Sequence, residues 1–583
     1  MRPLQNSSRL VSGQKPRGVD IIQFVWCRDE PRRELSLMLD RSSNYNVNAN
    51  TPNPVILSLR ALIKSGRSNL CALRLLHRSA PRNDTSFNAC VSVSFLKRIE
   101  LSTTIKKKDI VELEISDLAY GGKSVAKLAG LVVLIKGAVG VEPVTASGLP
   151  GDIVKVEITR RKSNFAEGKI LEIVKESDLR TKPLCSHFGL CGGCSWQDLK
   201  YEEQLKFKTK QVRESLKHIG GFSDLPIQDA LGSDEIFYYR NKMEYAFAPG
   251  MNRMVHTSDP EQQLILGLHP RERFDKVFDL KECFLQSERA NQIVDFVRGF
   301  AKEKKLIPYD YKERSGFLRF LAIREGKNTD MTMVNLVTNK GEFPFKDEFS
   351  SRVVSNFPYV KSVVRNINSK LANIAVGEYE EFLGGQRTIT EKLGKFNFEI
   401  SANSFFQTNT HQAEKLYQTV LDTADLQGDE SVLDLYCGNG TISIFLSQKT
   451  RKVTGVESVE ESVENAKRNA ELNGVTNCEF ICGEVKKVLA KLADDKEIPD
   501  LVVVDPPRAG LHKHVVKSLL KMRAPEIIYV SCNPSTLARD LKILCEEYYK
   551  LERVQPIDMF PHTYHIETVV KLIPKNLECQ ASA

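Results

Sequence analysis

Between residues 401 and 583 the hydrophobic positions fall in short runs that alternate with amphipathic segments. The runs predict strands at residues 431–436, 452–457, 478–482, 500–505 and 526–531. Segments between them, such as Glu460 to Asn473, have the spacing of helices. Two further runs, 551–558 and 565–573, follow each other without a helix and should pair as a hairpin. The pattern predicts an α/β domain with a mostly parallel sheet, helices on both faces and one antiparallel strand.

Residues 104–176 show a different pattern, in which short alternating runs follow one another without helices. The runs predict strands at residues 109–115, 131–135, 152–158 and 168–173, separated by glycine and proline turns. Short strands at this spacing are typical of a small closed barrel of the OB type. Arg160, Arg161 and Lys162 follow the third run, where they would meet phosphates, although a solvated turn explains them equally well.

Residues 177–400 predict a central α+β domain of antiparallel strands with helical insertions. Residues 200–220 form a basic amphipathic helix, whose charges are typical of a solvated face. Strands at 239–245 and 316–325 carry arginines interleaved with aromatic residues. Such a sheet face either holds folded RNA or forms ion pairs with itself, and both alternatives remain open.

The charge of the chain is distributed unevenly. The net charge of +9 is matched by the first 100 residues, which hold 13 Arg, 3 Lys and 7 acidic residues, so the rest of the chain is near neutral. An RNA-binding surface must therefore come from local patches. Residues 1–103 are rich in Arg, Ser and Asn and have no acid before Asp20, which favours an organelle transit peptide over a disordered extension. No apolar run approaches the ~20 residues of a membrane span, so no membrane partner is expected.

Three of the 13 cysteines, Cys185, Cys191 and Cys194, lie within ten residues with the spacing C-x5-C-x2-C. Glycines between closely spaced cysteines let the backbone wrap a cluster and direct amide N–H groups at its sulfurs. Cys283 is the next cysteine along the chain and the candidate for a fourth ligand. The spacing predicts a [4Fe–4S] cluster, with zinc held by four thiolates or free buried cysteines as alternatives.

Ligands of open α/β sheets bind at the carboxyl ends of the strands. The first predicted strand ends in Tyr436-Cys437-Gly438-Asn439-Gly440, where glycines allow a ligand close to the backbone, although a tight turn without a ligand is the alternative. Glu457 closes the second strand, about 20 residues further on, where an acid binds ribose hydroxyls. The turn lacks the full G-x-G-x-x-G of a dinucleotide site, which favours S-adenosylmethionine over NAD.

Two further strand ends carry candidate chemistry. Asp505-Pro506-Pro507-Arg508 lacks the aromatic residue that usually follows this motif in N-methylating enzymes, so methylation of an amino group is disfavoured. Cys532 stands between a strand and a helix, where the local field is expected to lower the pKa of the thiol. A structural role is the alternative for a cysteine at such a position. Glu567, at the start of the last strand, is either a general base or an ordinary strand-edge charge.

A thiolate beside a methyl-sulfonium donor suits methylation at C5 of uracil, which is a poor nucleophile. Addition of the thiolate to C6 turns C5 into an enolate carbon that can accept the methyl group. A carboxylate must then remove the C5 proton so that the cysteine is eliminated. Cys532 is therefore the candidate nucleophile and Glu567 the candidate base.

These motifs resemble the RNA (uracil-5-)-methyltransferase family, in particular its bacterial 23S rRNA members that carry a TRAM domain and an iron–sulfur cluster. The resemblance covers residues from about 104 to 574 and also rests on Ser404-Phe405-Phe406-Gln407 and on the segment from Phe560 to Glu567. Tyr120-Gly121-Gly122 and Leu149-Pro150-Gly151-Asp152 carry the resemblance of the barrel to a TRAM domain.

The resemblance implies a class I, Rossmann-like S-adenosylmethionine methyltransferase domain at residues 401–583, a TRAM domain at 104–176 and an iron–sulfur domain at 177–400. It implies contacts of S-adenosylmethionine or the target base with Gln407, Tyr436, Glu457 and Asp505. It also implies a [4Fe–4S] cluster bound by Cys185, Cys191, Cys194 and Cys283. Thr441 stands where family members often have Asn, so one polar contact to the cofactor is expected to differ.

The expected partner is RNA, and the chain is expected to act as a monomer. Ribosomal RNA is favoured over tRNA, because the tRNA-specific bacterial branch lacks both the cluster and the TRAM module. A non-catalytic RNA-binding protein with the same fold is the alternative from another class. The extension at residues 1–103 lies outside the bacterial pattern and favours an organellar protein, in a chloroplast rather than a mitochondrion.

Overall fold

The computed structural model describes residues 36–37, 57–58, 105–137, 145, 147–250 and 264–575. Its contacts divide the chain into two compact units, Met1–Lys97 and Arg98–Ala583. In the first unit the strands β1 (Ser36–Leu37) and β2 (Leu57–Ser58) are described, and they pair antiparallel. The rest of the predicted transit peptide lies outside the described residues.

The second unit begins with a closed barrel of five strands in the order β3-β4-β5-β7-β6. The strands are β3 (Ile110–Ala119), β4 (Lys123–Leu128), β5 (Leu131–Lys136), β6 (Ile153–Arg161) and β7 (Phe165–Lys175). Alternate residues face the interior, as in β6, which buries Val154, Val156 and Ile158. The predicted barrel is present. The sequence pattern missed β4, because its polar residues interrupt the apolar run.

The central part of the unit is a seven-stranded sheet in the order β10-β9-β8-β11-β12-β13-β14. Its strands are β8 (Lys242–Pro249), β9 (Leu264–Leu268), β10 (Phe278–Asp279), β11 (Leu318–Gly326), β12 (Met331–Thr338), β13 (Val360–Ile367) and β14 (Tyr379–Gly385). Strands β12 and β13 pair in parallel and the other neighbours antiparallel, as the sequence largely predicted. The accompanying elements are α1 (Tyr201–Ser215), a π turn (Leu216–Gly220), α2 (Glu288–Glu303), α3 (Lys346–Asn356) and the hairpin β15 (Ile389–Leu393) and β16 (Phe396–Ile400).

The C-terminal sheet has seven strands in the order β19-β18-β17-β20-β21-β23-β22. They are β17 (Ser431–Leu435), β18 (Lys452–Glu457), β19 (Cys478–Cys482), β20 (Leu501–Val504), β21 (Glu526–Ser531), β22 (Tyr549–Ile557) and β23 (Glu567–Pro574). The first five pair in parallel, whereas β23 runs antiparallel to both β21 and β22. The predicted hairpin and antiparallel strand are therefore confirmed.

Helices cover both faces of the C-terminal sheet. Successive residues of its strands point to opposite sides, and the apolar side chains on each side are buried against helices. The helices are α4 (Thr410–Ala424), α5 (Thr441–Leu446), α6 (Glu460–Leu472), α7 (Val485–Asp495), α8 (Lys513–Met522) and α9 (Pro534–Glu547). Val432 and Val503 pack on the side of α4, α5 and α6, whereas Leu433 and Val502 pack on the side of α1, α7, α8 and α9. Within the described part of the chain, none of the helices has the length and apolar character needed to cross a membrane.

Basic residues of strand β11 and of helix α1 are buried to a larger extent than the sequence indicated. Arg319 and Arg324, on strand β11, are buried and donate to main-chain carbonyls, Arg319 to those of Asn368, Lys370 and Ala372 and Arg324 to that of Ser404. These arginines hold loops in place, so neither presents its charge to RNA. On α1 the charge run is only partly solvated, because Lys208 is fully buried and paired with Asp558.

Candidate active site

Four strand ends meet at one edge of the C-terminal sheet. Strand β17 pairs in parallel with β18 and β20, and β20 pairs in parallel with β21, so their carboxyl ends lie side by side. Tyr436 follows β17, Glu457 ends β18, Asp505 follows β20 and Cys532 follows β21. The structure therefore brings these four predicted site residues to a single edge, which is where ligands bind in such sheets.

The glycine turn after β17 has a backbone that few residue types adopt. Gly438 has φ +54° and Gly440 φ +77°. A Cβ on Gly440 would lie 2.9 Å from the side chains of Ala466 and Phe480, so glycine is required there for packing. A Cβ on Gly438 would meet nothing within 4 Å, so the backbone at Gly438 is open to a ligand.

Glu457 is held in place by main-chain donors at the mouth of this turn. One carboxylate oxygen accepts from the N–H groups of Ser458 (2.6 Å) and Val459 (2.9 Å), and the other accepts from that of Gly438 (3.3 Å). These contacts fix the orientation of the carboxylate without an ion pair. A fixed acid beside an open glycine turn has the geometry needed to accept hydrogen bonds from ribose hydroxyls.

Two further carboxyl groups lie close to the turn, on the buried Asp434 of β17 and on Asp505, which is half-buried directly after β20. Burial raises the pKa of Asp505 to about 7, and the charge of Asp434 raises it as well. Burial also raises the pKa of Asp434 to about 7, although the hydroxyl of Ser443 donates to it over 2.6 Å. The second carboxylate oxygen of Asp434 has no hydrogen-bond partner among the described residues. A nearby cation stabilises the ionised form of such carboxyl groups, so the site favours a positively charged ligand.

Cys532 is half-buried, two residues before α9 begins at Pro534. Burial, followed by the charges of Glu567 and Asp505, raises the pKa of its thiol to about 11, while the charge of Arg508 acts in the opposite direction. The expected lowering of this pKa is therefore wrong for the protein alone. The field of the helix N-terminus is outweighed by desolvation and by the two carboxyl groups.

Glu567 stands opposite Cys532 across two antiparallel strands. Ser531 of β21 pairs with Thr568 of β23, so Cys532 and Glu567 are the next residues of the two strands. The carboxyl group is 5% exposed. Burial, followed by the charge of Asp505, raises the pKa of Glu567 well above its ordinary value, while Arg508 acts in the opposite direction. The position of this carboxyl beside the candidate nucleophile is the position that a general base requires.

Gln407 lies in a segment that is fixed against the glycine turn. The side chain of Asn439 donates to the carbonyl of Phe405 over 2.5 Å, and Asn241 donates to the carbonyl of Gln407 over 2.8 Å. Gln407 is half-buried, whereas Phe405 is 69% exposed. The structure thus ties the segment that carries Gln407 to the same edge of the sheet.

Sequence reasoning missed three groups at this edge. Asp434 and Arg508 belong to motifs that the sequence analysis quoted, so the sequence contained a signal for both. Only the structure shows that the charge of Asp434 raises the pKa of Asp505. It also shows that the charge of Arg508 lowers the pKa values of Cys532 and Glu567. Tyr120 of the barrel donates through its hydroxyl to the carbonyl of Cys532 over 3.4 Å. No spacing rule connects two residues 412 positions apart.

The four predicted cluster cysteines come together away from this edge, within one apolar cluster of the central part. Gly193 directs its N–H at the sulfur of Cys191 (3.3 Å), and Gln197 directs its amide at the sulfur of Cys194 (3.7 Å). Burial, together with the charges of Cys283 and Cys185, raises the pKa of Cys191 to about 12. Each of these cysteines is a free thiol.

These thiols meet part of what an iron–sulfur cluster requires. A cluster site brings four sulfurs close together and directs N–H donors at them. The four cysteines lie close enough for their charges to influence one another, and two of the sulfurs face N–H donors. Arg271 lies close enough to lower the pKa of Cys191. However, among the residues that the structure describes, no group of three or more His, Cys, Asp or Glu side chains is arranged to hold a metal ion. Four cysteine thiols are therefore suitable ligands for the cluster. Their sulfurs would have to move closer together when the cluster binds.

Comparison with protein families gives two matches. The profile described as "tRNA (Uracil-5-)-methyltransferase" matches residues 372–575, and that of the TRAM domain matches residues 106–171. The first span contains every strand of the C-terminal sheet and the second contains most of the barrel.

Comparison with individual proteins gives long matches. An uncharacterised RNA methyltransferase of Clostridium acetobutylicum is 39% identical over 468 residues, which is 80% of this chain and 97% of the relative. One of Halalkalibacterium halodurans is 38% identical over 472 residues, 81% of this chain and 98% of the relative. Among solved structures, the tRNA (uracil-54, C5)-methyltransferase of Pyrococcus abyssi in complex with S-adenosyl-L-homocysteine is 32% identical, with a TM-score of 0.62 over 79% of this chain and 100% of that one.

Proposed function

The chain belongs to the RNA (uracil-5-)-methyltransferase family, and from that premise we propose that it methylates C5 of a specific uridine in structured RNA through a covalent adduct with Cys532. The observation that carries the covalent route is the position of Cys532 opposite Glu567, both beside Asp505 at the ligand-binding edge of the sheet. A non-catalytic RNA-binding protein would have no need of a thiol and a buried carboxyl in this arrangement.

In the proposed reaction the thiolate of Cys532 adds to C6 of the uracil ring. The C5–C6 electrons move to C5 and the adjacent carbonyl, and C5 then forms a bond to the methyl group. That methyl group comes from the positively charged sulfur of S-adenosylmethionine, whose methyl–sulfur bond breaks so that neutral S-adenosylhomocysteine is the leaving group. Glu567 takes the proton from C5, and the returning electrons expel Cys532 as a thiolate and restore the C5–C6 double bond.

The cofactor contacts proposed here follow the layout of the edge. Glu457 accepts from the ribose hydroxyls, and the open backbone at Gly438 and the aromatic side chain of Tyr436 border the adenosine. Asp505 and Gln407 lie towards the reacting ring. The carboxyl groups of Asp434 and Asp505 favour a cationic sulfur over the neutral sulfur of the product, which helps the product to leave.

The covalent step is tested with RNA that contains 5-fluorouridine. Fluorine cannot leave C5 as a proton, so the protein with S-adenosylmethionine is expected to remain attached to this RNA under denaturing conditions. Cys532→Ala should abolish the adduct, whereas Cys482→Ala, at an exposed cysteine, should not. Absence of the adduct in the unaltered protein, or its persistence in Cys532→Ala, would overturn the proposal.

The role of Glu567 is tested separately with ordinary RNA. Glu567→Gln keeps the size of the side chain but cannot take a proton, so methylated RNA should stay attached to Cys532 instead of being released. Glu547→Gln, at an exposed position on α9, is the matched control and should release its product normally. If Glu567→Gln turns over like the control, another group is the base.

Ribosomal RNA is the substrate class proposed here, because the barrel and the four-cysteine segment resemble the 23S rRNA members. Transfer RNA is the second candidate, since the Pyrococcus abyssi enzyme is described as a tRNA methyltransferase and matches 79% of this chain. Mapping 5-methyluridine in organellar and cytosolic RNA from cells that lack the protein distinguishes them. The lost site should return with the unaltered protein but not with Cys532→Ala, and loss from a tRNA would reject the ribosomal assignment.

For the four thiols we propose a [4Fe–4S] cluster with Cys185, Cys191, Cys194 and Cys283 as ligands. The cluster would link the cysteine-rich segment to the central sheet, and the methyl transfer itself needs no electron. Support comes from the convergence of the thiols and the N–H groups directed at two of the sulfurs. Protein purified without oxygen should be brown and contain about four iron atoms per chain. Stoichiometric zinc without iron would reject the cluster.

A further inference from the structure

The turn between the barrel strands β3 and β4 reaches the edge of the C-terminal sheet at which Cys532 lies. Tyr120 stands in this turn, half-buried, with its hydroxyl 3.4 Å from the carbonyl oxygen of Cys532. Its ring meets that of Tyr564 edge to face, with 5.8 Å between the centroids. A barrel residue therefore borders the candidate nucleophile, although the barrel and the sheet are far apart in the sequence.

The turn is packed in this position rather than resting against the surface. Leu118, two residues before Tyr120, is buried with Leu149, Trp196 and Leu199. Asp117 is paired with Lys210 of α1 over 2.6 Å. Gly122 has φ +77°, and a Cβ there would lie 3.1 Å from the ring of Tyr564, so glycine permits the close approach.

The segment that supports the turn also supports the loop before Glu567. The N–H groups of Ser195 and Trp196 donate to the carbonyl of His562 over 2.7 and 2.9 Å. The side chain of Gln204 accepts from the N–H of His562 over 2.8 Å. The barrel turn and the loop that leads to the candidate base are therefore fixed to the same structure.

The hydroxyl of Tyr120 is available to a ligand. Its distance to the Cys532 carbonyl exceeds the usual ~2.7–2.8 Å of a hydroxyl hydrogen bond, so the contact is weak. Burial, followed by the charges of Cys532 and Tyr564, raises the pKa of Tyr120 to about 12, which keeps the phenol protonated and able to donate. Cys532, Arg508, Glu567 and Tyr564 are the charged and titratable groups that face it.

We propose that the barrel completes the active site, with Tyr120 bordering the bound uracil beside Cys532 and donating a hydrogen bond to a ring carbonyl oxygen. This inference rests on the proposed uracil-C5 methylation. When the thiolate adds to C6, negative charge develops on the ring carbonyl next to C5. A donor aimed at such an oxygen stabilises the charge more in the transition state than in the bound substrate. Tyr120 thus acts on the addition step, whereas an RNA anchor would act on affinity alone.

The experiment compares Tyr120→Phe with the unaltered protein under single-turnover conditions with saturating RNA and S-adenosylmethionine. The rate of adduct formation with 5-fluorouridine RNA isolates addition and methyl transfer from the later proton removal. Loss of the hydroxyl is expected to slow adduct formation about 10-fold to 100-fold, with the Kd for RNA within about twofold and an unchanged melting temperature. The phenylalanine ring preserves the packing, so a structural role would not produce this split.

Glu172→Ala is the matched barrel control, because the Glu172 side chain is 53% exposed on the barrel. It is expected to leave the saturated rate unchanged. A saturated rate in Tyr120→Phe equal to that of the unaltered protein, or a loss confined to the Kd for RNA, would overturn the inference and leave the proposed function intact. Failure of the unaltered protein to form any adduct would instead remove the proposed function.

Discussion

In the proposed reaction, the thiol of Cys532 has to lose its proton before it attacks carbon. With a pKa of about 11, only roughly one molecule in 10⁴ carries the thiolate at pH 7. The cause is local, because burial and the carboxyl groups of Glu567 and Asp505 act against the charge of the sulfur. A cationic ligand at the glycine turn is expected to act in the opposite direction and lower the pKa of Cys532, since it adds a positive charge to the same edge. The proposed enzyme is thereby protected from reactions of its nucleophile until the methyl donor is bound.

This balance gives a testable pH dependence. The rate at which iodoacetamide alkylates Cys532 should rise with pH towards a midpoint near 11 in the free protein, because only the thiolate reacts. S-Adenosylmethionine should move the midpoint to lower pH, whereas the uncharged product S-adenosylhomocysteine should not. Mass spectrometry of the peptide that contains Cys532 measures the rate. The midpoint reports the pKa even where the ligand shields the sulfur. Equal midpoints with both ligands would contradict the electrostatic account.

The sequence placed the reacting residues but not their ionisation. Cys532, Glu457 and Asp505 could be found because each ends a strand, and the carboxyl ends of parallel strands share an edge. Whether burial or the helix field controls the pKa of Cys532 depends on how Glu567 and Arg508 pack around it. Tyr120 could not be found at all, because its approach to Cys532 depends on how the barrel docks.

Helix α1 shows how an element can be predicted correctly and interpreted incorrectly. The run of charged residues correctly predicted a helix, and Lys206 is exposed and forms an ion pair with Glu203. Lys208, two residues later, is fully buried and donates to Asp558 and to the carbonyl of Phe560. Sequence spacing placed both lysines on one helix, but only the tertiary structure shows which of them faces the C-terminal sheet. The helix holds the loop that leads to Glu567.

Substitution of Lys208 is expected to damage this junction. Lys208→Ala leaves the carboxylate of Asp558 buried without its cation, which should cost about 3–5 kcal/mol locally. Lys206→Ala is the matched control and should change the stability little, because its ion pair is exposed to solvent. Native-state hydrogen exchange of α1 and of the loop before Glu567 measures both. Equal protection in the two variants would show that the buried pair does not stabilise the junction.

In the second compact unit, the segment that follows the barrel contacts both the barrel and the loop before Glu567. Residues 177–200 carry three of the four cysteines of the proposed cluster, contact the barrel through Trp196 and Leu199, and bind the loop at His562. The alternation of strands and helices was sufficient to predict the separate barrel and sheets, because each pattern is local. Their docking was not predictable, because it depends on single contacts such as the pair of Asp117 with Lys210.

The proposed cluster belongs to this assembly. The cysteine loop is fixed to the strand connection at His269, because Gly192 donates to the His269 carbonyl over 3.2 Å and Arg271 donates to that of Cys194 over 2.5 Å. Cys283 is held on the other side, with its N–H donating to Asn291 over 3.0 Å. A metal cluster across these anchors would bind the folded chain and not the unfolded one, so its binding energy becomes stability.

Cys191→Ser is therefore expected to lower stability more than chemistry. Loss of one of four ligands should reduce the iron content of the protein purified without oxygen. It should also lower the melting temperature, because cluster binding then stabilises the folded state less. The single-turnover rate at saturating RNA, measured below the transition, should remain near that of the unaltered protein, since Cys191 lies away from Cys532. Cys482→Ser, at an exposed cysteine of β19, is the matched control and should change neither property. A collapse of the saturated rate in Cys191→Ser without a change in melting temperature would assign the thiols to the reaction itself.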